Sequence, residues 1–512
     1  SDVGKYFTVK LVYVIGCILI GMVVCYFGSI QPIRRIAKIS PISAMKNVVS
    51  QQHQTLSIKK KRIRFGIGLV MLVMILILSK QVIYIESEGV IYAFMVILGL
   101  GSVLAMILMA PYVIRLVCKV IFWMTKDKDT VELYLATENL ANNRNNTTVI
   151  VSIIIAGIMI IASLHGMFSS ARKSVGDYVS HAFAHEYLID CESKNQEKFD
   201  ETLETIEKTG VLKDYTRIDV YDYEDELSGK TFRVFGVEPE EFDHYSTLKL
   251  HSKEKRISFE ELASDENLCF ASRQIMIENG YHLGDTIEFD CNGEHLELMI
   301  VAYFNSFTND GRLIYMSRNH LKRINKDSES SLLCANKADG VSADEFEDTI
   351  RNVLPSDESS VLSVRAFGDT WKNDVIKGTE IFYIIFAMIT VFVIFSLINN
   401  YITSILQRRR EVGMLSSLGA RSKSIKKMFN DEMFIIYLVT LLLGFVGSCA
   451  TLFIFVQCLS AVFHADLNVY YPGEIMVASA ILLIVTFILL DHIIIRRILK
   501  SDGVQLIKER TV

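Results

Sequence analysis

Two histidines four residues apart, His181 and His185, with Glu186 beside the second, could share a metal ion if one helix carried both. The sequence indicates no third ligand, and such a pair more often lies on a polar face. Nine cysteines contain no CxxC pair and no metal-like spacing. Cys17, Cys25, Cys118, Cys449 and Cys458 fall in or beside apolar runs, where a thiol packs as a small apolar group. Cys191, Cys269, Cys291 and Cys334 fall in a polar stretch and could pair if that stretch is exported, although their spacing assigns no partners. No GxxxxGK[ST] phosphate loop, HExxH pair or GxSxG elbow occurs, which removes ATP hydrolysis by the usual cradle, a zinc-peptidase centre and an elbow nucleophile. Neither an enzyme centre nor a cofactor or metal site is therefore expected.

A contact surface is expected in one loop. Residues 407–420 read Gln-Arg-Arg-Arg-Glu-Val-Gly-Met-Leu-Ser-Ser-Leu-Gly-Ala and lie between apolar runs at 379–405 and 433–456. Three arginines at the end of an apolar run mark that end as cytoplasmic. Residues 411–418 can form a short helix on which Val412, Leu415 and Leu418 recur at helical spacing, and Gly419 can end it in a left-handed cap. A short amphipathic helix on a basic cytoplasmic loop is suited to docking.

This run, followed by Ile425 and by acidic Glu432 at the start of the next apolar run, resembles the cytoplasmic loop of FtsX/MacB-type ABC-transporter permeases. The resemblance implies that 407–428 is a coupling loop whose helix enters a cleft of a separate cytoplasmic ABC ATPase subunit. Arg410, Glu411, Val412, Gly413, Leu415, Leu418, Gly419 and Ala420 would carry that contact. A loop that only anchored topology would explain the arginines but not the Gly-Ala break after an amphipathic turn.

The elements that position the loop follow from composition. At mean hydropathy +0.32 and 22% charged residues, the chain is too apolar for an ordinary soluble protein. The net charge of −5 is segregated, with Lys and Arg beside the apolar runs and Asp and Glu crowding a polar insert after residue 170. That is a membrane-topology pattern and argues against nucleic acid as a partner. Apolar runs at 7–29, 65–85, 90–117, 148–168, 379–405, 433–456 and 475–490 predict an α-helical integral membrane protein with about seven transmembrane helices. One α+β extracytoplasmic domain is inserted between two of them. Basic flanks place the N-terminus outside and the C-terminus inside, and the resemblance implies a bacterial plasma membrane. Pro111 should kink its span, and 131–146 reads as an amphipathic helix at the inner surface. Glu432 and Asp491 are expected at solvated cytoplasmic ends, which argues against an ion-coupled carrier.

Within the insert, 196–209 reads as a helix and 231–237 and 296–303 as strands, while 271–287 runs from a helix through a Gly284-Asp285 turn into a strand. The last of these, with the Phe235–Pro239 segment before it, resembles the extracytoplasmic domain of MacB-like permeases, and 138–144 resembles the family's pre-span helix. The tail after Arg34-Arg35 can be laid without a gap on the tail after Arg496-Arg497. The expected domains are therefore 1–50, the last span and tail of a first FtsX-like repeat; 51–130, a basic linker and two-span spacer; 131–168, an interfacial helix and first span of a second repeat; 169–378, a MacB-like external domain; and 379–512, a three-span permease domain. An upstream half with three more spans is expected to be missing. The alternative is a natural seven-span chain that pairs with a separately encoded half.

The resemblance implies a permease subunit that turns ATP hydrolysis into movement of an external domain, for export of a lipophilic, peptide or lipoprotein substrate. The alternative is a non-transporting relay that controls a cell-wall hydrolase or senses antimicrobial peptides. A receptor or enzyme in the external domain would need a convergent polar site, and the sequence displays none. Further expected partners are membrane lipids, a second copy or second permease half, and an external substrate or partner.

Overall fold

The computed structural model describes residues 58–471 apart from 86, 125–130, 143, 184, 192–195, 226–229, 254–256, 264–266, 292–293, 325–329, 355–359, 371–386, 397, 400–401, 403–412 and 416, with scattered positions on either side. The chain divides into two compact units, residues 1–56 and 57–512. Of the first, Met22 and Tyr26 are described, both helical and exposed. The repeated tails around Arg34 and Arg496 lie outside the described residues, as does Cys25.

Four described helices are long and apolar enough to cross a membrane: α1 (Ile58–Gln81), α2 (Glu88–Met124), α4 (Arg144–Ala182) and α10 (Ser422–Val462). The expected spans at 7–29, 379–405 and 475–490 fall wholly or largely outside the described residues, although Ala387–Ser396 is an apolar helix. The helices α2, α4 and α10 overrun the hydropathy limits at both ends, whereas α1 starts early at Ile58 and ends at Gln81, short of residue 85. The basic run 59–64 is the opening of α1 and not a linker before it, because Lys and Arg are good helix formers. Pro111 lies inside the continuous α2. The expected amphipathic helix ends at Asn142 as α3 (Val131–Asn142), and α4 begins at Arg144. Ala136 and Leu140 of α3 are buried in the same apolar cluster as Ile154 of α4 and Met428 of α10, so α3 is packed into the bundle. The two-span segment is packed as well: Ser102 of α2 and Thr451 of α10 share a buried 2.7 Å hydrogen bond, a means of joining helices where apolar attraction between them is weak.

Beyond α4 the chain builds a ten-stranded mixed sheet in the order β10-β1-β9-β2-β3-β8-β5-β7-β4, with β6 paired to β7. Its strands are β1 (Tyr187–Asp190), β2 (Leu212–Asp225), β3 (Lys230–Val237), β4 (His251–Ser252), β5 (Leu268–Ser272), β6 (Thr286–Cys291), β7 (Glu294–Phe304), β8 (Leu313–Ser317), β9 (Ser330–Lys337) and β10 (Ser360–Ser363). The β3–β8 and β5–β7 pairs are parallel and the others antiparallel. The middle of the sheet is covered on both faces, which is why β5 and β8 are buried at every position and read as continuous apolar runs. In β7 the outer half alternates between exposed and buried residues, as a strand with one wet face should. The helices α5 (Gln196–Lys208) and α9 (Ala343–Val353) bury Phe199, Ile206, Phe346 and Ile350 against β1 and β9. Ser342 caps α9 by accepting from the Glu345 backbone N–H. The helix α6 (Pro239–Phe242) follows β3, α7 (Arg273–Asn279) follows β5, and α8 (Arg318–Ile324) follows β8.

Candidate functional site

The described part of the expected loop is a single helical turn that stops at a glycine. Residues 413–415 are helical, the Leu418 amide donates to the Met414 carbonyl at 3.0 Å, and the Ala420 amide donates to the Leu415 carbonyl at 3.0 Å. The second bond spans five residues, and Gly419 between them has φ +90°, the left-handed geometry of a Schellman cap. Only glycine adopts it without strain. The chain then turns directly into α10, whose first carbonyl-to-amide bonds run from Arg421 to Ser424 and Ile425.

The predicted apolar face is divided by this turn. Leu415 and Ala420 pack on the bundle core beside Ile425, Met428 and Phe429, and Gly413 is buried. Leu418 is 84% exposed and Met414 is 49% exposed, both directed away from that core. Thus Leu415 anchors the turn and Leu418 is its outward prong, whereas the spacing had put both on one docking face. Arg410, Glu411 and Val412 lie outside the described residues.

Next to the turn, α3 is clipped to the start of α10. Lys427 reaches Glu132 at 3.6 Å, and the Asn139 amide donates to Glu432 at 3.0 Å. Glu432 is 6% exposed, which corrects its expected solvated position: the first turns of α10 are covered by α3. Asn139 and Glu432 both belong to motifs singled out in the sequence, and no local pattern links residues so far apart.

One helix runs from this corner to the sheet domain. The 39 residues of α4 extend about 58 Å, roughly twice a hydrocarbon core. Its predicted span ended at residue 168, yet the helix continues for another 14 residues, 169–182. Along that extension Ser170 and Ser174 accept from the backbone amides of Tyr470 (3.0 Å) and Asn468 (2.9 Å). The Tyr470 hydroxyl donates to Asp177 at 2.6 Å, and Lys173 stands 4.7 Å from the centre of the Tyr470 ring. One turn further, Tyr178 hydrogen-bonds Ser306 (3.3 Å) and Thr308 (3.1 Å), and the His181 ring meets the Thr247 hydroxyl at 3.1 Å. Tyr178, Val179 and Ala182 also bury apolar surface with Val364 and Phe307. The rod therefore holds the 463–471 loop and the sheet domain together.

The same loop meets the sheet domain directly. Asp466 pairs with Arg273 at the start of α7, and the Phe463 and Phe307 rings lie 6.5 Å apart. Gly311 has φ +77°, and a Cβ there would lie 2.7 Å from the His464 carbonyl, so glycine is required twice over. Asn309, Asp310 and His464 also have positive φ, which places three strained non-glycine residues at this one joint. Behind it, Glu278 of α7 holds Arg312 through two bonds of 2.9 and 3.0 Å. Burial alone would raise the Glu278 carboxyl, but hydrogen bonds from Arg312, Gln274 and Lys230 outweigh it and bring it down to about 2.

The histidine pair is not brought together as a metal site. The helix ends at Ala182, so His185 leaves the face that carries His181. His185 is buried edge-on to Phe183 at 5.8 Å, and burial pushes its imidazolium down to about 4. Among the described residues no group of three His, Cys, Asp or Glu could hold a metal. Cys191, Cys269 and Cys334 are free and buried in the sheet domain, and burial pushes the Cys191 thiol up to about 12.

No curated protein matches the chain. A solved structure described as the extracellular domain of the noncanonic ABC-type transporter YknZ from Gram-positive bacteria is 12% identical, at TM-score 0.24, and the match covers 35% of this chain and 99% of that one. The family model "FtsX-like permease C-terminal" matches residues 381–502, a stretch that holds the capped turn and α10. The capped turn and α10 thus lie within a stretch similar to the C-terminal domain of FtsX-like permeases.

Proposed function

We propose that this chain is the permease subunit of an ABC transporter and that a separate cytoplasmic ATPase subunit docks on the turn at 413–420. The observation that carries the proposal is the division of that turn: Leu415 is fixed in the bundle while Leu418 is 84% exposed beside it. A push on Leu418 is delivered to α10 through Leu415 and Ala420, and to α3 through the Asn139–Glu432 and Glu132–Lys427 contacts. From there α4 carries it to the sheet domain, which this reading places outside the plasma membrane. The chain itself performs no catalysis; its substrate, a lipophilic molecule, peptide or lipoprotein, is moved by the external domain. The remaining loop residues, Arg410, Glu411 and Val412, complete the docking surface in this reading.

A non-transporting relay uses the same rod, and the length of α4 beyond a membrane core favours force transmission in either case. The test is affinity purification in mild detergent with the proteins of the source cell. Leu418→Asp should abolish capture of a P-loop ATPase at unchanged yield and elution volume, whereas Leu415→Ala should lower thermal stability. Capture that survives Leu418→Asp contradicts the docking surface.

A further inference from the structure

Five cations, Lys59, Lys60, Lys61, Arg62 and Arg64, occupy the first two turns of α1, and no acidic residue shares its first turn. Cations at a helix N-terminus oppose the helix dipole and one another, so the arrangement calls for an anion. Lys61 turns into the bundle at 7% exposure, while Lys59, Lys60 and Arg64 are exposed. At about 100° per residue, Lys60 and Arg64 share a helix face with Ile67, Met74 and Leu78, and Lys59 stands at its margin.

That face is one wall of a groove of about 630 Å³ between α1 and α2. Gly66, Ile67, Met74 and Leu78 line it from α1, and Ile97 and Gly101 from α2. The groove extends about 18 Å from Gly66 to Leu78, close to the roughly 15 Å depth of one leaflet. Its basic end is the end that the positive-inside rule assigns to the cytoplasm.

We infer that this groove and its basic rim form a site for an anionic diacyl phospholipid of the inner leaflet. The phosphate is held by Lys59, Lys60 and Arg64, and one acyl chain lies along the groove. A polybasic segment just cytoplasmic of a span attracts anionic lipid. A neutral lipid would leave the cations unmatched, and a soluble anion would leave the groove unfilled. The site depends on the membrane placement of α1 and α2 and not on ATPase docking.

Purified protein exchanged with equal amounts of phosphatidylglycerol and phosphatidylcholine of the same chains, read by native mass spectrometry, tests it. The wild type should retain phosphatidylglycerol at least fivefold over phosphatidylcholine, and inorganic phosphate should not displace it. The K59A/K60A/R64A variant should bring the ratio to parity. Gly66→Phe keeps every cation and fills the groove mouth, where a Cβ meets nothing within 4 Å; it should cut phosphatidylglycerol retention at least threefold. Equal retention of both lipids by the wild type, undiminished phosphatidylglycerol in either variant, or displacement by phosphate would overturn the site.

Discussion

The two ends of α4 are held by different mixtures of contacts. At the inner end Ile150, Val151, Ile154, Ile155 and Met159 are buried against α2 and α10 in one apolar cluster. At the outer end Ser170, Ser174 and Asp177 hold the 463–471 loop through hydrogen bonds. Close packing is specific in shape, whereas the outer contacts depend on individual polar pairs, with Tyr178, Val179 and Ala182 adding a small apolar cluster beside them. The inner end is thus seated by apolar packing, and the outer end by hydrogen bonds and packing together.

If the seat depends on shape, Ile154→Ala should remove about 3 kcal/mol of bundle stability, an effect that thermal unfolding in detergent would show to be insensitive to salt and pH. A loss that varied with salt would erase the distinction between the two ends. At the outer joint, Arg312→Met leaves Glu278 buried without its main partner and should cost the sheet domain about 2–3 kcal/mol. Glu278 has a folded-state pKa of about 2, below its ordinary value of 4.5. Its contribution is therefore complete above about pH 4.5 and is lost as pH falls toward 2. Acid unfolding of wild type should draw on this window, and Arg312→Met should flatten it.

Smaller changes sharpen the picture. Tyr470→Phe removes the bond to Asp177 and should cost about 1 kcal/mol, visible as faster amide exchange in 463–471 with the inner end unaltered. Asp466→Asn loses a half-exposed ion pair with Arg273; screening limits it to about 0.5 kcal/mol, and the difference should vanish in molar salt.

How much of this was legible depends on whether the cause was local. The left-handed stop at Gly419 could be read from the residues, because a glycine after an amphipathic turn is itself the mechanism. The helix at 196–208 and the strands at 230–237 and 294–304 carried their period in their own side chains. The division between Leu415 and Leu418 was not legible, since helical spacing defines a stripe but not which neighbour covers part of it. Nor was the outer third of α4: Ser169-Ser170-Ala171-Arg172-Lys173 ends the hydropathy signal while each residue still tolerates a helix. The Asn139–Glu432 and Asp177–Tyr470 pairs each join residues 293 positions apart, and only the assembled bundle brings them together.

Movement at the capped turn is expected to reach the outer joint through α4. Hydrogen exchange on the permease–ATPase complex, with and without a non-hydrolysable ATP analogue, addresses it directly. Nucleotide should change protection in 305–312 and 463–471, and Leu418→Asp should abolish that change while leaving the apo pattern intact. Protection at the outer joint that ignores nucleotide, or that still responds in Leu418→Asp, would contradict the account.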